Sequence, residues 1–369
     1  MNSFNYILNR NSVLLDILKS VDLRKINKNE INFFRNKRIL ITGASGIIGI
    51  NLLFFFDALN NKEKTSIKVD GTYNTSLFLF VKKYFKKNKL VKFKKIDLTK
   101  KKLDKTRKCD FIFHCAGYGQ PAKFLKFFSS TYKLNSLTIM NLKENLKNGG
   151  KFIYMSSTEI YSGNKGICKE NCIGNTTTTH PRSSYIESKR FGESYLINSK
   201  ENFLIYRVCL TFGPGAKLND ERILNLLLLR SIKNNKIDIY GGLNQLRSNL
   251  YISDAINMII KSVVKFNREI FNINNHKMIT IGEMVKIISK LSNKKIAKHK
   301  SFLKSDEGCI PSCLKWFNSH FPTSVISFLA TAKHGSFQPE ATVRPFLTIF
   351  KFAPTVSISL HKEIKASYL

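Results

Sequence analysis

At 369 residues and 43% hydrophobic, the chain can bury one large core or two ordinary ones, and it is too apolar for a disordered protein. A formal charge of +36 would suit a nucleic-acid binder, but 48 of the 61 basic residues are Lys, spread along the whole chain among Asn and Ile, and no recognition motif accompanies them; no nucleic-acid partner is expected. No apolar run reaches membrane-spanning length, and Asn5, Asn9, Arg10 and Asp16 interrupt any secretory leader, so a cytoplasmic protein without a membrane partner is expected. The seven cysteines are irregularly spaced and have no neighbouring histidines in a ligand pattern, which points to reduced, space-filling thiols, with neither a metal site nor a disulfide framework.

Residues 1–36 read as a polar helical extension with apolar Val13, Leu14, Leu15 and Leu18. From Arg38 strand-like segments recur at Ile39–Thr42, Ile67–Tyr73, Val91–Ile96, Phe111–Cys115, Phe152–Ser156 and Phe203–Leu210. Helix-like stretches lie between most of them, at Ile47–Asn60, Ala122–Leu146 and Ser184–Ser199. Strands alternating with helices predict an α/β fold, a Rossmann-type doubly wound parallel sheet over residues 37–212, with ligands at the carboxyl ends of the strands. After Phe212-Gly213-Pro214-Gly215 the rhythm changes. Helices at Asp220–Lys233, Ser253–Lys265 and Ile281–Leu291 and short strands near Ile237–Tyr240 and Ile270–Ile273 predict a smaller C-terminal substrate lobe, residues 213–300. Residues 301–369 hold five of the eight prolines and only seven basic residues, and clear periodicity is lost; an atypical, poorly ordered tail is expected there.

The first strand runs into Thr42-Gly43-Ala44-Ser45-Gly46-Ile47-Ile48-Gly49. Glycines permit a tight turn and a close approach of backbone to a pyrophosphate, and the helix that follows offers free N–H groups to the anion. The spacing is Gly-x-x-Gly-x-x-Gly, and a Gly-rich turn without ligand is the plainer alternative. The ribose-contacting residue is either Asp70, 21 residues past Gly49, or Asn74, if the strand continues to Tyr73. NAD is favoured and NADP left open.

Tyr185 and Lys189 lie four apart in a segment of helical character, which puts both on one face. A nearby ammonium favours the phenolate, and a phenol tuned this way can take a proton from a hydroxyl. A second pair, Tyr161/Lys165, encloses the turn signal Gly163-Asn164 and reads as an accident of a Lys-rich chain.

Together these residues resemble the extended short-chain dehydrogenases/reductases of the epimerase/dehydratase type that modify nucleotide sugars, over roughly residues 37–293. The motifs that carry the likeness recur in order: Gly43–Gly49, Asp97-Leu98, His114-Cys-Ala-Gly117, Asn135, Ser156-Ser-Thr-Glu-Ile-Tyr161, Tyr185/Lys189, Phe212-Gly-Pro-Gly215, Asn219-Asp-Glu-Arg222, Arg247 and Tyr251-Ile-Ser-Asp254. Within that group Pro181 to Arg190 is most similar to UDP-glucuronate decarboxylases.

The resemblance implies NAD held by Gly43, Ser45, Gly46, Ile47, Ile48, Gly49, Asn74, Asp97, Leu98, Ala116, Gly117 and Asn135, with Tyr185 and Lys189 at its reactive end. It implies Tyr185 as base, Lys189 tuning it, Ser157 sharing the sugar hydroxyl, and Glu159 acting at the C5/C6 end of the sugar. Glu159, Arg222 and Arg247 would meet the substrate, although a surface ion pair is the alternative for each Arg. Oxidation at C4 would make a C6 carboxylate a β-keto acid, which readily loses carbon dioxide. A 4,6-dehydratase or an epimerase is the alternative, with Thr158 against dehydration, since dehydratases carry Asp there; a catalytically silent cofactor-binding protein is the alternative of another class. A homodimer is implied. Two departures stand out: Gly215 replaces the Arg of the decarboxylases, and residues from about 301 do not resemble the family's C-terminal part.

Overall fold

The computed structural model describes residues 10–299, apart from 218, 241 and 276, together with 310 and 311. Expectations for residues 1–9 and, apart from 310 and 311, for the tail lie outside the described residues.

Seven strands form one parallel sheet: β1 (Arg38–Thr42), β2 (Lys68–Tyr73), β3 (Val91–Lys95), β4 (Cys109–His114), β5 (Leu146–Ser157), β7 (Asn202–Val208) and β12 (Glu269–Ile273), in the order β12-β7-β5-β4-β1-β2-β3. Alternate residues serve opposite faces, as a pleated strand requires. Ile39 and Ile41 of β1 pack into one core with the helices Ile47–Glu63 and Ile252–Lys265, while Leu40 joins Ile139, Leu142 and Leu196 on the other face. The Ile47–Glu63 helix is apolar nearly all round, with Leu52 to Phe56 fully or almost fully buried, because it lies between the sheet, the Ile252–Lys265 helix and the N-terminal Arg10–Ser20 helix.

The extension expected at 1–36 is therefore more than a polar lead-in. Ile17, Ile26, Ile31 and Phe34 are buried in the main core, and the Lys28–Phe34 helix opens on a reciprocal capping box between Asn27 and Glu30.

The boundary expected at 212/213 is not a simple cut. β12 returns to the edge of the large sheet beside β7, and the Ile252–Lys265 helix belongs to the main core. Lys151 secures this return: its ammonium donates to Val263 O (2.5 Å) and Phe266 O (2.7 Å), meeting carbonyls that the helix end leaves unpaired. The smaller core comprises Phe212, Leu224, Leu227, Leu228, Ile237, Ile239 and residues of the Ile281–Ser292 helix. There β9 (Lys236–Tyr240) pairs with β14 (Lys295–His299). The β-bridge partners β6 (Ile167–Cys168) and β15 (Ile310–Pro311) are far apart in the chain, and Cys168 is disulfide-bonded, contrary to the expectation of reduced thiols. Spacing along the sequence does not report such a long-range meeting. Cys109, Cys115, Cys172 and Cys209 are free.

Candidate active site

The strand order reverses between β1 and β4, a switch point at whose carboxyl ends open α/β sheets bind their ligands. The Gly turn follows β1 and Ala116-Gly117 follows β4. Gly43 has φ +67°, and a Cβ there would lie 2.7 Å from Ala116 N; a Cβ on Gly49 would lie 2.4 Å from Gly43 O. The two glycines are thus required by close backbone packing. Ser45, Gly46, Ile47 and Ile48 remain partly open to solvent at the start of the helix.

Three hydrogen bonds among four residues fix the relation between the two strand ends. Ala116 N donates to Thr42 Oγ1 (3.2 Å), Thr42 Oγ1 meets His114 Nδ1 (2.8 Å), and His114 Nε2 meets Leu134 O (2.9 Å). Since a carbonyl only accepts, Nε2 carries the proton and Nδ1 accepts from Thr42. Burial pushes the His114 pKa down to about 3, so the ring stays neutral. Thr42 was not singled out from sequence; its role depends on a partner 72 residues away.

The second strand places Asp70 and Asn74 in different surroundings. Asp70 lies within β2 opposite Leu40, ion-paired with Arg38 at 2.8 Å and Arg107 at 3.5 Å, while Asn74 is exposed just past the strand's carboxyl end. Asp97 closes a local turn by accepting from Thr99, and Leu98 joins Ile96, Leu134, Ala116 and Tyr118 in an apolar wall.

Tyr185 and Lys189 share the Ser183–Ile197 helix and are 7% and 4% exposed. Phe124 of the Pro121–Lys126 helix stacks on the Tyr185 ring (centroids 4.5 Å apart, 13°), and Ser157, at the end of β5, lies close enough to the phenol to lower its pKa. Lys189 Nζ donates to Met155 O (2.7 Å), sits 5.8 Å from the Tyr185 ring centroid, and lies 3.8 Å from where a Gly117 Cβ would be. Lys189 therefore stands beside the strand ends that frame the Gly turn.

Burial, rather than Lys189, sets the direction of the Tyr185 pKa in this structure. Burial raises the phenol to about 12, opposed by the Ser157 hydroxyl; Glu159 raises it further and Arg222 lowers it. Lys189 is itself pushed down to about 7 by burial, opposed by Glu193. The Lys189 ammonium points at the Met155 carbonyl.

Glu159 is held by Arg182, whose Nη1 reaches both carboxylate oxygens at 3.0 and 3.1 Å. Arg222 forms a close pair with Asp220, Nη2 to Oδ2 2.6 Å, and its charge is felt at Tyr185. Arg247 donates to Leu246 O and Gln245 Oε1. Asn135 is fully buried, donating to Ser188 Oγ (3.0 Å) of the Tyr185/Lys189 helix and accepting from Tyr154 OH (3.2 Å). Tyr161 of the second Tyr/Lys pair is buried and bonded to Asn272 and Arg207, as a structural residue.

Gly215 has φ +88°, and a Cβ there would come within 2.7 Å of Ile50 Cγ2. Asn51 Nδ2 donates to Pro214 O (2.9 Å), pinning the loop to the helix that begins at the Gly turn. The Arg that decarboxylases carry here has no room in this backbone.

A seven-stranded parallel sheet with a glycine turn at its switch point defines a Rossmann-like α/β fold. The chain belongs to the NAD dependent epimerase/dehydratase family, whose model matches residues 39–274. It is 26% identical over 267 residues to UDP-glucuronic acid decarboxylase 3 of Arabidopsis thaliana, covering 71% of this chain and 76% of that protein. It is 24% identical over 188 residues to UDP-glucuronic acid decarboxylase 1 of Xenopus tropicalis, covering 49% of this chain and 45% of that protein. In fold it is similar to UDP-glucuronic acid 4-epimerase from Bacillus cereus in complex with UDP-glucuronic acid and NAD, with a TM-score of 0.63 at 23% identity, covering 77% of this chain and 94% of that one.

Proposed function

We propose that the protein is an NAD-dependent enzyme that modifies a nucleotide sugar through a 4-keto intermediate, with decarboxylation of a nucleotide-linked uronic acid as the first reading. The observation that carries it is the grouping of Ser157, Tyr185 and Lys189 beside Gly117. Family membership and the decarboxylase relatives support the substrate class. The close-packed cradle of Gly43 and Gly49 fits a pyrophosphate, with Ser45, Gly46, Ile47 and Ile48 around it, Asn74, Asp97 and Leu98 on the adenosine side, and Ala116, Gly117 and Lys189 toward the reactive end. NAD bound there supplies the hydride chemistry.

Tyr185 then takes the proton of the sugar's C4 hydroxyl, with Ser157 holding the same oxygen. With a pKa of about 12 Tyr185 is almost wholly protonated at neutral pH, so the reading requires the bound state, with Lys189 5.8 Å from the ring, to favour the phenolate. Arg222 places a guanidinium for the anionic part of the substrate. Epimerisation is the second reading: both Glu159 oxygens are engaged by Arg182, which leaves that acid less free to act at C5/C6.

Incubating the purified protein with UDP-glucuronate, UDP-glucose and dTDP-glucose and following products by mass tests the reading. Loss of carbon dioxide is expected from UDP-glucuronate. Loss of water would indicate dehydration, and unchanged mass with altered retention would indicate epimerisation. No turnover with NAD still bound would favour a silent cofactor-binding protein.

A homodimer is proposed through the face that carries the Tyr185/Lys189 helix. Phe128, Tyr132, Leu137 and Phe191 are exposed on helices of this region, and the Phe128–Asn135 helix packs on the Ser183–Ile197 helix. Contiguous exposed apolar side chains mark association surfaces. Phe128→Asp should shift sedimentation from dimer to monomer without lowering the Tm of the monomeric fold; an unchanged dimer would place the interface elsewhere.

A further inference from the structure

One buried amide joins three parts of the chain at the start of the glycine-turn helix. Asn51 lies one turn into the Ile47–Glu63 helix and is 2% exposed. Its Nδ2 donates to Ile47 O in its own helix and to Pro214 O in the loop after Leu210–Phe212, both at 2.9 Å. Its Oδ1 faces the end of the Arg10–Ser20 helix: Ser20 Oγ, which donates to Ile17 O at 2.7 Å, stands 3.3 Å away.

Packing repeats the same three-way meeting. A Cβ on Gly215 would lie 2.7 Å from Ile50 Cγ2, 3.3 Å from Asn51 Nδ2 and 3.7 Å from Ile17 Cδ1. Ile17 and Ile50 are fully buried, so each helix brings an apolar side chain against the same loop residue. An amide suits this point because one nitrogen can donate to two carbonyls while its oxygen accepts. An apolar side chain of equal size would leave Pro214 O without its donor.

The loop held here runs on to Asp220 and Arg222, paired at 2.6 Å, the latter being the guanidinium proposed for the anionic part of the substrate. Within it Ala216 N donates to Gly213 O at 3.2 Å and Asp220 N to Lys217 O at 3.0 Å, so a shift at Pro214 is carried toward Arg222 by hydrogen-bonded backbone. The Arg10–Ser20 helix lies ahead of residues 39–274, the part matched by the family model, so this arm of the junction stands outside what the family shares.

We propose that Asn51 is a positioning residue, the joint at which the N-terminal helix and the glycine-turn helix together set the loop that leads to Arg222. The joint rests on contacts within the chain; its effect on substrate rests on the nucleotide-sugar reading.

The test uses the full chain with Asn51→Leu, which keeps the size and adds no charge, and the milder Ser20→Ala. Hydrogen exchange followed by mass spectrometry, without ligand, should show peptides spanning 213–222 exchanging about tenfold faster in Asn51→Leu, as loss of a buried hydrogen bond predicts, with Asn202–Val208 unchanged. Ser20→Ala, whose fold is at little risk, should accelerate the same peptides roughly threefold. Unchanged exchange in both variants would overturn the joint, as would an acceleration spread evenly over the sheet. Calorimetry reads the consequence: Asn51→Leu should bind UDP-glucuronate about tenfold more weakly while its NAD affinity matches the parent. Equal UDP-glucuronate affinity in parent and variant, or a parallel loss for NAD, would overturn the positioning role. If the parent binds no nucleotide sugar, the functional reading fails, and the exchange experiment alone decides the joint.

Discussion

Tyr185→Phe is expected to lower turnover by about 10²- to 10⁴-fold, the span attributable to one positioned proton-transfer group, while NAD affinity and Tm stay close to the parent. The change removes one oxygen and keeps the ring, so the stacking on Phe124 at 4.5 Å survives. Ser157 loses a phenol partner but still accepts from Glu159 N at 3.2 Å, which limits the stability cost to about 1 kcal/mol. Steady-state kinetics with the substrate identified by product mass, beside calorimetry for NAD, measure both halves. Retained turnover would remove Tyr185 from the chemistry.

Glu193→Ala should be the most destabilising single change near the site, by about 3–5 kcal/mol, because it leaves a buried guanidinium without its counter-charge. Glu193 and Arg207 are each 5% exposed and joined at 2.7 Å; Ser156 Oγ also donates to Glu193 at 2.5 Å, and Arg207 reaches Tyr161 OH and Glu170 O. Denaturant unfolding measures the loss. Glu193→Gln keeps the shape and should cost less stability, yet it removes the anion that opposes the burial of Lys189. The Lys189 pKa, now about 7, should then fall further, moving the pH at which its charge disappears toward acid. A methyl-lysine titration that shows no such shift would reduce Glu193 to a purely structural role. In the parent, Lys151 and Lys189 both titrate below free lysine, at about 8 and about 7, so the folded state binds fewer protons than the unfolded chain across that window. Their contribution to stability therefore rises with pH from about 7 toward 10.5.

Much of this architecture could be read from residue patterns. Buried strands such as Ile39–Thr42 are continuous apolar runs, and the helices Ile47–Glu63, Ile252–Lys265 and Ile281–Ser292 end within a few residues of where periodicity places them. The expected Ala122–Leu146 helix is three short helices, broken at Phe127 (φ −112°, ψ 45°) and Ser136 (φ −128°, ψ −88°). Neither position carries a Gly or Pro; the breaks accompany tertiary contacts, with Phe124 on Tyr185 and Asn135 on Ser188. The Gly turn and the Tyr185/Lys189 pair are local in sequence and were legible. Thr42, Arg182 and Glu193 were not, because each acts through a partner remote in the chain or, for Glu193, through burial that no spacing reveals.

The late arrival of β12 bears on how this protein can be dissected. A fragment ended at residue 212 would contain the whole glycine turn and the Tyr185/Lys189 helix, yet it would bare the backbone edge of Asn202–Val208, an apolar strand that β12 otherwise covers. It would also strip Tyr161 of its Asn272 acceptor. Such a truncation should self-associate through the uncovered strand, so a minimal cofactor-binding unit has to run to at least Ile273.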